Sequence, residues 1–523
     1  MAQPHSQLIA FYVRRFSRSV PLLIAASAFF ISTIASATDG TWTSLVSGTW
    51  QNPANWQGGS VAQGADATAN FTTDIGASVT VTIDDFSRTI GTLNIGDVNG
   101  SGSYTIAATG GFSLIFDNFD YTNLIDNNAQ INVGAGSAGD TISAPISLNS
   151  SLDITNNSAT TFTISGTIQA GGIARTVSLL SGNALFSGVI SNGGGIITVG
   201  KSGTGTLTLS NVNSYTGGTL INSGTVSTSD KAALGTGTVT LGSFLGGNAT
   251  LSLTFTGGGG GGGPLANNIV VAAGSGGTLT LAETAANSPP LLGTITLNGE
   301  LTLSSAANSS NPFVVSGLIS GAGSLTTTAS SAGGTTLSGA NTYSGGTTLT
   351  NGPLQGKNSG ATNVLQAFGT GPLTLNGGTL QLRANGSGNS QTIITGDGIT
   401  GNNVVVGGNA TIDVNQSSAN TGSTFQFNNL SIGANTLTIT GGNSYALQFA
   451  GTTTLTGNAT FNPTTANLAI ASATGTNQNL TLGGTSTGNT IGAITTGSGT
   501  LTKNTASTWT LSWSACQIGR AHV

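Results

Sequence analysis

The sequence has almost no thiol or imidazole groups. It contains one cysteine, Cys516, and two histidines, His5 and His522, all close to the ends of the chain. The long body between them therefore lacks the side chains that form disulfides, Cys/His zinc sites and histidine-dependent catalytic triads. A serine nucleophile in that body would have no histidine to activate it.

Charge is also scarce, since charged residues make up only 5% of the 523 residues. After residue 37 there are 8 Lys and Arg against 16 Asp and Glu, which gives that part a net charge of −8. No basic patch is present, so the composition disfavours nucleic-acid binding. Glutamate occurs only at Glu283 and Glu300, and this scarcity of a good helix former argues against helices.

The first 37 residues have the pattern of a secretory signal peptide. Arg14, Arg15 and Arg18 precede an apolar run over residues 20–34, and the small residues Ala35-Ser36-Ala37 follow it. This order of a positive start, a short apolar run and a small-residue site predicts cleavage after Ala37. The run is short for a membrane span and has no charges after it that would stop transfer.

From residue 78 onward the sequence consists of short alternating runs separated by Gly, Asn and Asp. The run from Val79 to Ile83 and the run from Leu301 to Leu303 are typical. Alternation of apolar and polar residues with a period of two predicts half-buried strands, and no convincing helical period appears after residue 37. Short strands at this spacing fit either a β-sandwich or a solenoid.

Internal repetition favours the solenoid. A block of the type Gly-apolar-Ile-Ser/Thr occurs at Gly188, Gly317 and Gly492, each time followed by a glycine-rich turn and another strand. The order of the blocks is kept while their spacing varies, as expected when each coil contacts only its neighbours and tolerates insertions at its corners. The predicted fold is all-β, a single-stranded parallel β-helix.

The predicted boundaries divide the chain into a cap and two solenoid stretches. Residues 38–77 contain Trp42, Trp50 and Trp56, which we expect to cover the open end of the first coil; the alternative is an aromatic ledge for sugars. The solenoid then occupies residues 78–256 and 265–512. Between them, residues 257–264 hold seven glycines and a proline, which predicts either a corner loop or a hinge between two halves.

A longer unit lies inside the solenoid and occurs twice, at residues 203–224 and 333–352. Both copies contain Asn-x-Tyr-x-Gly-Gly-Thr, and a third begins near residue 497 and breaks off after Ser512. The repeat-motif residues are Asn213, Tyr215, Gly217 and Gly218 in the first copy, and Asn341, Tyr343, Gly345 and Gly346 in the second. Because the tyrosines recur in register, we interpret them as stacking at corners, with Gly-Gly forming the turn; the alternative is exposed ligand contacts.

These two stretches resemble the autotransporter-associated β-strand repeat. The resemblance implies a right-handed parallel β-helix passenger, secreted or displayed at the surface of a Gram-negative bacterium. It also implies an outer-membrane translocator, and this chain has no series of strands that would form one. We expect residues 513–523, which bring in Cys516, His522 and Arg520, to be an artefactual end on a longer gene.

Two groups of carboxylates are candidates for chemistry. Asp84 and Asp85 lie near Arg88, while Arg175 and Lys201 are the next cations along the chain. Asp117, Asp120 and Asp126 form a weak candidate Ca²⁺ site, because Asp and Asn oxygens are abundant there. Their spacing matches neither an EF-hand nor a calcium-binding nonapeptide repeat. The other interpretation of both groups is ordinary corner aspartate.

The sequence therefore predicts a non-enzymatic structural or adhesin-like rod, without cofactors, that contacts a host or matrix surface of polysaccharide or protein. The alternative is a β-helix enzyme that degrades polysaccharides, with its catalytic groups in an acidic groove or in a missing C-terminal part. The two differ in one spatial respect. In an enzyme, Asp84, Asp85, Asp117 and Asp120 would converge with an arginine in one groove.

Overall fold

The computed structural model of the chain describes residues 37–255, 263–285, 290–305, 312–330, 332–358, 360 and 362–512, with the backbone of 517–522. The predicted signal peptide up to Ser36, most of the glycine run and residues 513–516 lie outside these ranges. Within them there is no α-helix; the helical elements are two 3-10 turns, Pro53–Asn55 and Gln57–Gly59. No described helix has the length and apolar character needed to cross a bilayer.

The strands stack in parallel as a β-solenoid of about 18 turns. This confirms the predicted parallel β-helix, while its right hand remains a prediction. Each turn passes through three faces in the same order, which we call sheets 1, 2 and 3. The stacked strands pair along the solenoid axis at the usual separation of about 4.8 Å.

Sheet 1 and its continuation comprise Gly40–Thr41, Thr68–Phe71, Thr92–Ile95, Ala129–Val133, Leu152–Asn156, Arg175–Ser181, Ile197–Lys201, Thr219–Ile221, Val239–Leu241, Ile269–Val271, Ile295–Leu297, Ile319–Gly321, Val364–Leu365, Thr392–Thr395 and Thr424–Phe427. Sheet 2 comprises Gly48–Thr49, Val79–Ile83, Tyr104–Ala108, Thr141–Ile142, Phe162–Ile164, Ala184–Phe186, Thr206–Leu209, Gly224–Thr228, Ala249–Leu253, Leu279–Glu283, Leu301–Ser305, Leu325–Ala329, Thr347–Leu349, Leu373–Leu375, Val404–Val406 and Leu430–Ile432.

Sheet 3 comprises Arg88–Ile90, Leu114–Phe116, Ile146–Leu148, Ile168–Ala170 and Ile190–Gly193, and later Phe313–Val315, Thr335–Leu337, Pro353–Lys357, Thr379–Arg383, Ala410–Asn415, Thr436–Gly441, Ala459–Pro463 and Leu480–Leu482. The final strands are Ala446–Leu455, Asn467–Gly475, Asn489–Lys503, Trp509–Leu511 and Gln517–His522, of which the first three continue around corners. A small antiparallel hairpin, Phe119–Asp120 with Ile125–Asp126, projects from one corner.

The alternating sequence sets the core. In Val79–Ile83 the residues are alternately buried and half-buried, because successive side chains on a strand point to opposite faces. Inward residues then stack in rows, for example Val81, Ile106 and Ile142 in sheet 2. One turn alone cannot bury its apolar face, so the core exists only through stacking.

Turn length varies more than the sequence suggested. Thr219 pairs with Val239, a turn of 20 residues, whereas Thr92 pairs with Gln130, a turn of 38 residues that contains the projecting hairpin. Insertions at corners therefore set the length of each turn.

The tryptophan-rich start lies in the first turn. Trp42, Trp50 and Trp56 have exposed fractions of 0%, 0% and 3%, and their rings pack on each other and on Phe71. The indoles of Trp50 and Trp56 donate hydrogen bonds to Ala62 and Trp50 carbonyls. The rings thus face the core and form no exposed ledge, and their role as a cap remains a prediction.

The strands pair directly across the glycine-rich segment. Val239–Leu241 pairs with Ile269–Val271, and Ala249–Leu253 pairs with Leu279–Glu283. Residues 256–262 lie outside the described residues, and the chain before them follows the sheet 2 strand Ala249–Leu253. The solenoid has the same strand pairing before and after the glycine-rich segment.

Candidate functional site

The two asparagines of the repeat motif bind neighbouring turns together. The side chain of Asn213 accepts a hydrogen bond from the Ile190 amide of the preceding turn at 2.8 Å and donates to the Ala233 carbonyl of the next at 2.7 Å. Asn341 makes the same two bonds, to Ile319 at 2.8 Å and Ala367 at 2.7 Å. Both side chains are buried. Each asparagine thus satisfies backbone groups in a corner where regular strand pairing is interrupted.

The two tyrosines lie inside the solenoid. Tyr215 and Tyr343 are fully buried, and their hydroxyls hydrogen-bond Thr219 at 2.7 Å and Thr347 at 2.5 Å. Burial raises the pKa of both phenols well above the usual tyrosine range, so the hydroxyls stay protonated. With no exposed surface, neither ring is accessible to a ligand in this arrangement.

The paired glycines allow the backbone to turn sharply beside the next coil. Gly218 and Gly346 have φ angles of +87° and +91°. A Cβ at Gly218 would lie 2.5 Å from the Thr238 carbonyl oxygen, and one at Gly346 would lie 2.7 Å from the Pro372 oxygen. The conformation and the space both require glycine here.

A second segment, one turn further on, completes each motif. In the first copy Thr219 donates to the Leu234 carbonyl at 3.3 Å, and a Cβ at Gly235 would lie 2.4 Å from the Tyr215 oxygen. Phe368 and Gly369 occupy the same places around Tyr343 and Thr347. The sequence signal was visible in Ala233-Leu-Gly-Thr-Gly and Ala367-Phe-Gly-Thr-Gly, but the role of these stretches as partners of the tyrosine was missed.

The two copies lie on different faces of the solenoid. In the first, the strand after Gly-Gly is Thr219–Ile221 in sheet 1; in the second it is Thr347–Leu349 in sheet 2. The block that precedes each copy shifts likewise, with Ile190 in sheet 3, Ile319 in sheet 1 and Ile494 in the sheet 2 ladder. Successive copies therefore advance by one face and point in different directions.

Lys201 has a structural role that was not evident from the sequence. This side chain is fully buried, and its ammonium donates to the carbonyls of Ser202, of Gly203 at 3.1 Å and of Thr204 at 3.0 Å. Burial lowers the pKa of Lys201 to about 8. Lys503, at the matching position of the broken third copy, donates to the Asn504 and Thr505 carbonyls at 3.2 and 2.9 Å, whereas the second copy has Ala329 there.

The acidic residues do not converge in one groove. Asp84 and Asp85 lie at the corner before the sheet 3 strand Arg88–Ile90, and Asp117 follows the adjacent strand Leu114–Phe116 at its other end. Asp85 forms an ion pair with the buried Arg88, with oxygen–nitrogen distances of 2.7 and 2.8 Å. The carboxylates thus occupy two corners, and the nearest arginine is committed to one of them.

The three candidate calcium ligands each have other partners. Asp117 accepts from the Asn149 side chain at 3.2 Å and Asp126 pairs with Arg175 at 2.5 Å. Asp120 accepts from the Asn123 amide group at 2.7 Å, and this bond holds the pKa of Asp120 below its usual value. Among the described residues, no group of three or more Asp, Glu, His or Cys side chains is placed to hold a metal ion.

Comparison with known families supports the repeat assignment. The passenger-associated-transport-repeat matches residues 200–227 and 328–355, which confirms the predicted copies at 203–224 and 333–352. No curated protein and no solved structure matches the chain. The chain therefore carries two passenger repeats within a β-solenoid, an arrangement that fits the passenger domain of an autotransporter.

Proposed function

We propose that the chain is a non-enzymatic passenger, exported by a Gram-negative bacterium and displayed at its surface as a rod that contacts a host or matrix surface. The observation that carries this proposal is that both passenger repeats are integral parts of one continuous solenoid. About 18 turns at about 4.8 Å each give a rod of about 85 Å. Such a rod would hold a contact surface well away from the membrane.

The geometry of the repeats supports a structural role for them. Asn213, Tyr215 and their counterparts are buried and bonded to neighbouring turns. Their copies face in different directions, so they would not form one multivalent binding strip. Contacts with a partner would then involve outward strand residues or corner insertions such as the hairpin at Phe119–Asp126.

Surface display can be tested with the full chain fused upstream of an outer-membrane translocator domain in a Gram-negative host. An epitope inserted after Gly172, in an exposed corner, should be labelled by antibody on intact cells and removed by added protease. Cells with a permeabilised outer membrane supply the total amount of epitope as a control. Labelling only after permeabilisation would contradict the proposal.

The absence of enzymatic activity needs its own test, because the alternative function is a polysaccharide-degrading enzyme that uses the acidic residues. The purified chain, incubated with pectin and alginate in the presence of Ca²⁺, should release no more reducing ends than the Asp85→Asn/Asp117→Asn double variant. Product release by the wild-type chain that the double variant lacks would favour the polysaccharide-degrading enzyme instead.

A further inference from the structure

One half of sheet 2 presents a regular outward array of threonine, which we call the threonine face. Its first column is Thr206, Thr225, Thr250, Thr280, Thr302, Thr326, Thr348 and Thr374, which pair in sequence from one turn to the next. Its second column is Thr208, Ser227, Ser252, Ala282, Ser304 and Thr328. Thirteen of these fourteen side chains carry a hydroxyl, and none carries a charge.

The array has a fixed geometry. No register shift interrupts the pairings that build it, so equivalent atoms repeat about every 4.8 Å along the solenoid and about every 6.7 Å along each strand. Threonine is stiff at χ1 because it is β-branched. Its methyl and hydroxyl groups are thus held in a lattice at little further cost in conformational entropy.

Composition alone does not explain this regularity. The outward residues of sheet 1 over the same turns are Leu220, Thr240, Val270, Thr296 and Ser320. They mix apolar and hydroxyl side chains in the same threonine-rich part of the chain. Sheet 2 keeps threonine in the first column through eight successive strands, so over these turns the array is more regular than on sheet 1.

We propose that the threonine face binds ice, the ordered surface of crystalline water. Its two spacings, set by strand geometry, lie within about a tenth of oxygen repeats of hexagonal ice, and its uncharged hydroxyl and methyl groups complement an uncharged lattice. Each hydroxyl that bonds a water molecule contributes little, but water in ice is already immobile, so the entropic cost of ordering it is small. Fourteen rigidly linked positions then act together as a multivalent surface.

Two features of the face refine the proposal. Thr326 and Thr328 donate their hydroxyl hydrogens to Glu300 and Asn351 at 2.8 and 2.7 Å, so these two positions can only accept from ice. Crystalline polysaccharide is another regular uncharged surface, but sugar rings are generally bound by aromatic side chains, and the fourteen positions include none. The observations therefore favour ice.

The inference goes beyond the passenger role and does not depend on it. It is tested by adding the purified full chain to a film of polycrystalline ice held just below the melting point and measuring grain growth. We expect micromolar protein to slow recrystallisation. The Thr250→Lys/Thr302→Lys double variant, which places two cations in the first column, should need about tenfold more protein for the same effect.

The matched control is Thr240→Lys/Thr296→Lys, which makes the same change on sheet 1 in the same two turns. It should inhibit recrystallisation as the wild type does. Circular dichroism checks that each variant folds. If Thr250→Lys/Thr302→Lys unfolds, Thr250→Tyr/Thr302→Tyr takes its place in the assay. The proposal is overturned if the wild type leaves grain growth unchanged, if both double variants behave alike, or if the chain binds cellulose or chitin and not ice.

Discussion

At the scale of single residues, the buried asparagines of the repeat join neighbouring turns through hydrogen bonds. Asn213 satisfies the Ile190 amide and the Ala233 carbonyl at once, so it connects three successive turns. An apolar replacement would leave both backbone groups buried without partners. Each such group costs roughly 1–3 kcal/mol.

We therefore predict that Asn213→Ala lowers the free energy of unfolding by about 3 kcal/mol. The matched control is Asn157→Ala, since that side chain is exposed and its loss should cost less than about 0.5 kcal/mol. Urea unfolding followed by circular dichroism measures both. Equal destabilisation by the two substitutions would show that the bonds of Asn213 between turns contribute little.

Lys201 gives stability a pH dependence of unusual sign for a lysine. Its pKa falls from an ordinary 10.5 to about 8 on burial, so between these values the unfolded chain binds more protons than the folded chain. Stability then rises with pH in that window, and below pH 8 the penalty is present in full. The four buried or partly buried tyrosines, whose pKa values are raised, act in the opposite direction only above about pH 10.

The expected gain from Lys201 between pH 8 and pH 10 is about 2 kcal/mol. Lys201→Met keeps most of the buried stem and removes the titrating group, so its unfolding free energy should change less over the same interval. The measurement is urea unfolding at pH 8, 9 and 10 for both proteins. Parallel curves would mean that Lys201 does not titrate in this range.

At the scale of elements, the Gly-Gly turns decide where a corner can form. Gly218 needs both a positive φ angle and the space beside the Thr238 carbonyl. Gly58 has a positive φ angle of +62° as well, but no atom lies within 4 Å of the Cβ position. The two positions separate the conformational cost from the cost of close approach.

We predict that Gly58→Ala costs about 1 kcal/mol, the penalty of a left-handed conformation alone. Gly218→Ala should cost at least about 2 kcal/mol more, because the backbone of the next turn must move. Thermal unfolding of both variants checks the difference. Similar losses would indicate that the corner at Gly218 relaxes easily.

At the scale of the whole molecule, the alternating sequence predicted strands, and the internal repeats predicted that they stack as a parallel solenoid. It did not predict how the copies are placed. Tyr215 and Tyr343 are 128 residues apart, and only the pairing of strands shows that this distance spans five and a third turns. Insertions such as the Phe119–Asp126 hairpin vary the length of each turn, so the fraction of a turn cannot be read from spacing.

The parts of the site that sequence reasoning missed depend on contacts between turns. Lys201 is one cation in a chain with few, and only the structure places its ammonium against three carbonyls. The threonine face was hidden similarly, because alternating threonines occur throughout the chain. Their alignment into one column depends on pairings between residues about 24 positions apart.

Because each turn contacts only its neighbours, the solenoid should tolerate loss of a whole turn. It should not tolerate a deletion one residue shorter, because that would exchange the inward and outward side chains of the following strand. Leu437 and Phe461 are register partners in sheet 3, so deletion of residues 437–460 places Phe461 where Leu437 was. We predict that this variant keeps the β-type circular dichroism spectrum and a thermal midpoint within about 5 °C of the wild type. Deletion of residues 437–459 instead places Thr460 inward and Phe461 outward. That variant should become sensitive to limited proteolysis around residue 436, and equal protease resistance of the two deletions would contradict the one-dimensional packing described above.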